Sequence, residues 1–131
     1  MAAADEETAI DVAALDELEH AVGDDREFLR ELVEAYLDDA PTQVEAMRDG
    51  LARTDIELLH RAAHTLKSNS ASMGANALSE MCRQVEALTA AGQADTSDLA
   101  APSLASRITD IGAELERVKA ELDSLVPAEA T

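Results

Sequence analysis

The stretch Asp55-Ile56-Glu57-Leu58-Leu59-His60-Arg61-Ala62-Ala63-His64-Thr65-Leu66-Lys67-Ser68-Asn69-Ser70-Ala71-Ser72-Met73-Gly74 reads as one amphipathic helix. Leu59, Ala63, Leu66, Ser70 and Met73 recur at steps of four, three, four and three, which places them on one face of a 3.6-residue helix. Thr54 or Asp55 can cap its start, and Gly74 is a plausible stop. Each residue turns about 100° around the axis, so His64 falls at about 160° from Leu66, roughly opposite the stripe. His60, Lys67, Ser68 and Ala71 share that outer side. The pattern therefore predicts a solvent-facing histidine with a cation one turn on and small side chains around it.

The same period extends in both directions. Asp11 can cap a short helix carrying Val12, Leu15, Leu18 and Val22, closed by Gly23. Asp24 or Asp25 then opens a long helix with Phe28, Leu29, Leu32, Val33, Tyr36 and Leu37 on its inner side, resuming at Val44, Met47 and Leu51. Pro41 interrupts that pattern and predicts a kink or a break near Ala40; we read a kinked helix running to about Gly50. Leu78, Met81, Cys82, Val85 and Leu88 mark the next helix, ending at Gly92, and Gln93 to Pro102 is turn-rich and loop-like. Leu104, Ile108, Ile111, Leu115, Val118, Leu122 and Leu125 mark the last. Short connections between long amphipathic helices imply antiparallel neighbours. The expected fold is all-α: an up-and-down four-helix bundle with a short extra N-terminal helix over residues 11–125. Residues 1–10 and 126–131 read as flexible tails.

Composition agrees with this class. Of 131 residues, 47% are hydrophobic but only 2% aromatic, so Leu, Ala, Val, Ile and Met must fill the core. A net charge of −18 repels nucleic acid and anionic membranes, and neither is an expected partner. No apolar run is long enough for a membrane-spanning helix, and the acidic start lacks the regions of a signal peptide. The lone Cys82 offers no disulfide framework, which makes a reducing cytoplasm the natural compartment. The charge is also uneven. From Arg48 to Arg83 there are five basic and four acidic residues, a net of +1, so the remainder carries −19. The near-neutral stretch is the one that holds His60 and His64.

Three chemistries compete for these residues. Glu17-Leu18-Glu19-His20 and Glu57-Leu58-Leu59-His60 have the Glu-x-x-His spacing of di-iron bundles, but such ligands must face the interior and Glu57 points outward on the wheel. We therefore expect no metal site. A kinase of its own would need a nucleotide-binding loop, and none is present. A purely structural adaptor bundle would share the same surface without carrying a phosphoryl group. An exposed neutral imidazole, by contrast, is a good nucleophile near physiological pH when one nitrogen is held and the other is free. Lys67, three residues on, can lend charge to phosphoryl oxygens.

The stretch from Ala63 to Ala75, with Leu78 after it, closely resembles the signature of histidine phosphotransfer domains. In that family the His is phosphorylated, a Lys stands three positions on, a small residue four on, and a Gly ten on before another small residue. His64, Lys67, Ser68, Gly74 and Ala75 match without a gap. Asp25 to Leu32 resembles the family's second helix. The likeness departs at two places. Many members carry Gly where Ser68 stands, and many carry Gln where Glu86 stands; phosphotransfer domains of chemotaxis-type kinases are similar to this chain in using Glu there. The resemblance implies that His64 accepts and donates a phosphoryl group, with electrostatic support from Lys67. Glu86 would orient the imidazole, and His60, Arg61, Ser68 and Ala71 would lie on the docking face. It also implies a monomeric carrier with no cofactor of its own. Catalytic carboxylates and Mg²⁺ would belong to the partner: the receiver domain of a response regulator or of a hybrid sensor histidine kinase.

Overall fold

The computed structural model describes residues 8–90 and 102–127, and these form five α-helices with no strand among them: α1 Val12–Ala21, α2 Arg26–Ala52, α3 Ile56–Ser72, α4 Asn76–Leu88 and α5 Pro102–Leu125. Helices α2 to α5 make the antiparallel bundle. Helix α3 packs between α2 and α4, and α5 closes the ring by packing on the same two helices. The short α1 lies across α2 and α3. Helix α4 ends at Leu88, four residues short of the expected Gly92; Gly92 itself, residues 128–131, most of the N-terminal tail and the loop at 93–101 lie outside the described residues. Pro102 itself opens α5 rather than closing that loop, since the first helical position needs no N–H donor.

Aspartates start the first three helices. Asp11 accepts from Ala13 N (3.1 Å) and Ala14 N, Asp25 from Phe28 N (3.0 Å) and Asp55 from Leu58 N (3.1 Å), each satisfying donors that an isolated helix leaves unpaired. Helix α2 runs unbroken through Pro41 to Ala52. The lost hydrogen bond and ring clash cost about 3 kcal/mol. Beyond the proline, however, Val44 and Met47 are buried, at roughly 1.5–3 kcal/mol each, so continuing the helix is the better solution.

The inner stripes meet in one core: Leu29, Val33, Tyr36, Val44 and Met47 of α2 against Leu59, Ala63 and Leu66 of α3, with Leu78, Cys82 and Val85 of α4 and the apolar face of α5. Phe28 corrects the expectation for α2. It is 43% exposed, because Leu29 takes the inward position and Phe28 is turned about 100° from it. The described inner ends of the tails need correction too. Ala9, Ile10 and Val126 are buried, not free. The Ala9 and Ile10 N–H groups donate to the two Glu121 carboxylate oxygens at 2.7 and 3.0 Å, and Arg30 donates to the Val126 carbonyl. Ser70, a polar member of the α3 stripe, is explained by a buried 2.8 Å hydrogen bond with Tyr36 Oη. Burial pushes the Tyr36 phenol up to about 12, so it stays protonated.

Two glycines fix how α3 sits. Gly74 adopts φ +81°, and a Cβ there would stand 2.7 Å from the Asp11 carbonyl oxygen, while the Asp11 N–H donates to the Gly74 carbonyl at 2.7 Å. At Gly50 a Cβ would come within 2.9 Å of Leu59 N and 3.0 Å of Leu59 Cβ. Replacing a helical Gly by Ala ordinarily gains about 0.5–1 kcal/mol. At Gly50 the forced separation of α2 and α3 outweighs that gain, and Gly50→Ala is expected to lose about 1–3 kcal/mol. Thermal or urea unfolding of the single variant measures the sign, and a stabilised variant would contradict this packing.

Candidate functional site

His64 stands in mid-helix on α3 with its side chain 56% exposed, on the side away from the core stripe. Its Nδ1 lies 2.5 Å from Glu86 Oε2 on α4. The other carboxylate oxygen, Oε1, lies 2.7 Å from Lys67 Nζ. Glu86 thus bridges the histidine and the lysine, joining two residues three apart on α3 through one acid on the next helix. Burial by itself would raise the Glu86 carboxyl. Hydrogen bonds from Lys67 and His64 outweigh it and hold the carboxyl below its ordinary value. As an anion Glu86 can only accept, so His64 carries its proton on Nδ1 and presents the Nε2 lone pair to solvent.

The helix–helix contact behind this triad is tied at several points. Ser79 Oγ donates to the Lys67 carbonyl at 2.9 Å. One turn before His64, His60 Nδ1 lies 3.1 Å from the Glu86 carbonyl oxygen and 3.1 Å from Thr89 Oγ1. The wheel grouped His60 with the outer residues; its ring is instead half-buried between α3 and the end of α4. Helix α4 ends at Leu88, with Thr89 at its C-terminal cap. Thr89 could have been singled out, since it continues the Cys82 and Val85 stripe as an inward threonine. The Lys67–Glu86 pair had no such signal, because it depends on the rotation of α4 against α3.

The remaining expected surface residues are open. Arg61, Ser68 and Ala71 are all exposed, and Arg61 makes only a loose pair with Glu57 at 3.7 Å. Glu57, His60, Arg61, His64 and Glu86 line a shallow depression of about 390 Å³. Glu17, His20 and Glu57 lie outside the bundle, so neither Glu-x-x-His pair faces its interior. Among the described residues no group of three metal-ligating side chains gathers. Cys82 is buried beneath the site, and burial, helped by the Glu86 charge, pushes its thiol up to about 12, which leaves it an inert packing group.

The family model described as "Hpt domain" matches residues 31–126. The chain belongs to the Hpt domain family. As an Hpt domain it is a histidine phosphotransfer protein of the phosphorelay type, a carrier class that works with receiver domains. Its fold is similar to that of histidine-containing phosphotransfer protein B (HptB) from Pseudomonas aeruginosa PAO1. The TM-score is 0.77 at 18% identity, covering 93% of this chain and 97% of that one. No curated protein sequence matches the chain. Among the described residues of this Hpt domain, no helix is long and apolar enough to cross a membrane.

Proposed function

We propose that this Hpt domain carries a phosphoryl group on Nε2 of His64, taking it from and returning it to receiver-domain aspartates. The observation that carries the reading is the 2.5 Å contact of His64 Nδ1 with Glu86, which leaves Nε2 as the outward nucleophile. In the forward step the Nε2 lone pair forms the N–P bond as the P–O bond of the aspartyl phosphate breaks. That electron pair returns to the aspartate carboxylate. His64 keeps its Nδ1 proton, so the ring becomes cationic on phosphorylation. The Glu86 carboxylate beside Nδ1–H stabilises this developing charge, the role an orienting acid plays for a catalytic histidine. The reverse step runs the same bonds backwards.

Lys67 supplies positive charge one turn away. It rests on Glu86, 28% exposed, and its flexible stem reaches toward incoming phosphoryl oxygens. The carrier needs no metal of its own in this reading; Mg²⁺ and the acids that bind it come with the receiver. Ser68 and Ala71 keep the surface low around His64, with His60 and Arg61 at the opposite rim. The near-neutral segment from Arg48 to Arg83 lets an acidic, metal-bearing site approach a body of net charge −18. A monomer in the cytoplasm is part of this reading, in keeping with a single buried thiol.

Lys67→Ala is expected to slow phosphoryl uptake about ten-fold without abolishing it, the scale of one charge-assisted hydrogen bond. Rapid-quench transfer from a phosphorylated receiver measures this, and an unchanged rate would reduce Lys67 to a partner of Glu86 alone. An adaptor bundle that carries no phosphate would bind receivers yet acquire no acid-labile, base-stable label under the same conditions.

A further inference from the structure

The reach of Glu86 depends on where the last turn of α4 is held. That turn is weakly closed. The Thr89 N–H is shared between the Val85 and Glu86 carbonyls at 3.1 and 3.2 Å, and Ala90 N reaches the Ala87 carbonyl only at 3.4 Å. Terminal turns of this kind fray unless something outside the helix ties them. Here the tie comes from α3. The Thr89 hydroxyl spends its proton on the Val85 carbonyl at 2.8 Å, so toward His60 it can only accept. The Glu86 carbonyl also only accepts. His60 therefore carries its proton on Nδ1 and shares it between Glu86 O and Thr89 Oγ1, both at 3.1 Å. Thr89 itself is buried, which fixes its hydroxyl against movement.

We propose that His60 is a positioning residue for the phosphoryl site. By clamping the Glu86 backbone and the Thr89 hydroxyl through Nδ1, it sets the Glu86 carboxylate against His64 and so selects the His64 tautomer with Nε2 free. The two histidines stand one turn apart on α3 and both engage Glu86: His60 holds its backbone and His64 meets its side chain. The inference rests on the phosphotransfer reading for its consequence, but the tautomer it predicts exists in the free protein.

The test is long-range ¹H–¹⁵N NMR of the His64 ring in the free protein, paired with the rate of uptake from a phosphorylated receiver, for His60→Leu and His60→Asn. His60→Leu keeps an apolar filling and loses the donor. It is expected to move His64 from a single Nδ1–H tautomer to a mixture and to slow uptake about ten-fold, the order of loss that a sub-ångström misplacement brings. His60→Asn places an amide N–H close to the Nδ1 position and should restore both readouts. A His64 tautomer and rate unchanged in His60→Leu would overturn the proposal. Should that variant not fold by circular dichroism, Thr89→Val removes half of the clamp at nearly constant volume. It should shift the tautomer in the same direction, and an unshifted ring would overturn the proposal. If instead the tautomer responds as expected while the unmodified protein takes no label, positioning stands and the phosphotransfer reading falls.

Discussion

His64→Gln is expected to abolish phosphoryl uptake while leaving the bundle folded. The amide nitrogen of Gln has its lone pair delocalised and is no nucleophile, so the N–P bond cannot form. Structurally the change is mild. The His64 side chain is 56% exposed and contributes nothing to the core, and surface substitutions of this kind usually stay within about 0.5 kcal/mol. Nor does it strand a charge, because Glu86 keeps its 2.7 Å contact with Lys67. Incubation with a phosphorylated receiver, alongside thermal unfolding, reads both halves. Label retained by a folded His64→Gln variant would place the acceptor elsewhere.

The second large effect is expected at Glu86. Glu86→Ala removes the group that fixes the His64 tautomer and the charge that offsets the cationic ring, and should slow uptake about 100-fold, or about 2.7 kcal/mol of barrier. Glu86→Gln keeps an oxygen to accept from Nδ1–H but loses the charge. Its loss should be nearer ten-fold, so the gap between the two variants separates orientation from electrostatics. Lys67 loses its carboxylate partner in both variants, and repeating the comparison in the Lys67→Ala background removes its contribution from the gap. The pH dependence has a definite sign. The Glu86 carboxyl lies below its ordinary value, so its pairing with His64 and Lys67 is present throughout neutral pH. It is lost only as acid protonates the carboxylate below the usual range. Equal rates for all three proteins would leave His64 with only Lys67 and the partner's groups.

Much of this site was legible in the sequence because it depends on local geometry. The Asp11 cap, the α3 stripe and the outward direction of His64 follow from helix period and capping chemistry within a few residues, while the sequence left Asp24 beside Asp25 and Thr54 beside Asp55 as capping candidates that the structure decides for Asp25 and Asp55. What escaped is non-local. Glu121 anchors Ala9 and Ile10 from more than a hundred residues away, and Arg30 anchors Val126 from the adjacent helix α2, so residues 9, 10 and 126 of the apparent tails are packed. His60 looked like surface on a wheel for one helix. Only the approach of α4 makes it an interhelical donor. Ser70 gained a reason only when Tyr36 of α2 came opposite it. In each case the missing fact was a contact between distant segments, and for His60 and Ser70 it was the rotation of one helix against another, which packing of the whole core decides.

Whether Nε2 of His64 carries the phosphoryl group is read by NMR of the ¹⁵N-histidine-labelled protein after phosphorylation by a receiver. One new species is expected: His64 with ³¹P coupled to Nε2, its proton still on Nδ1 beside Glu86, and the His60 ring unmodified. Phosphorus on Nδ1 of His64, on His60, or on no histidine of a folded, receiver-bound protein would contradict it.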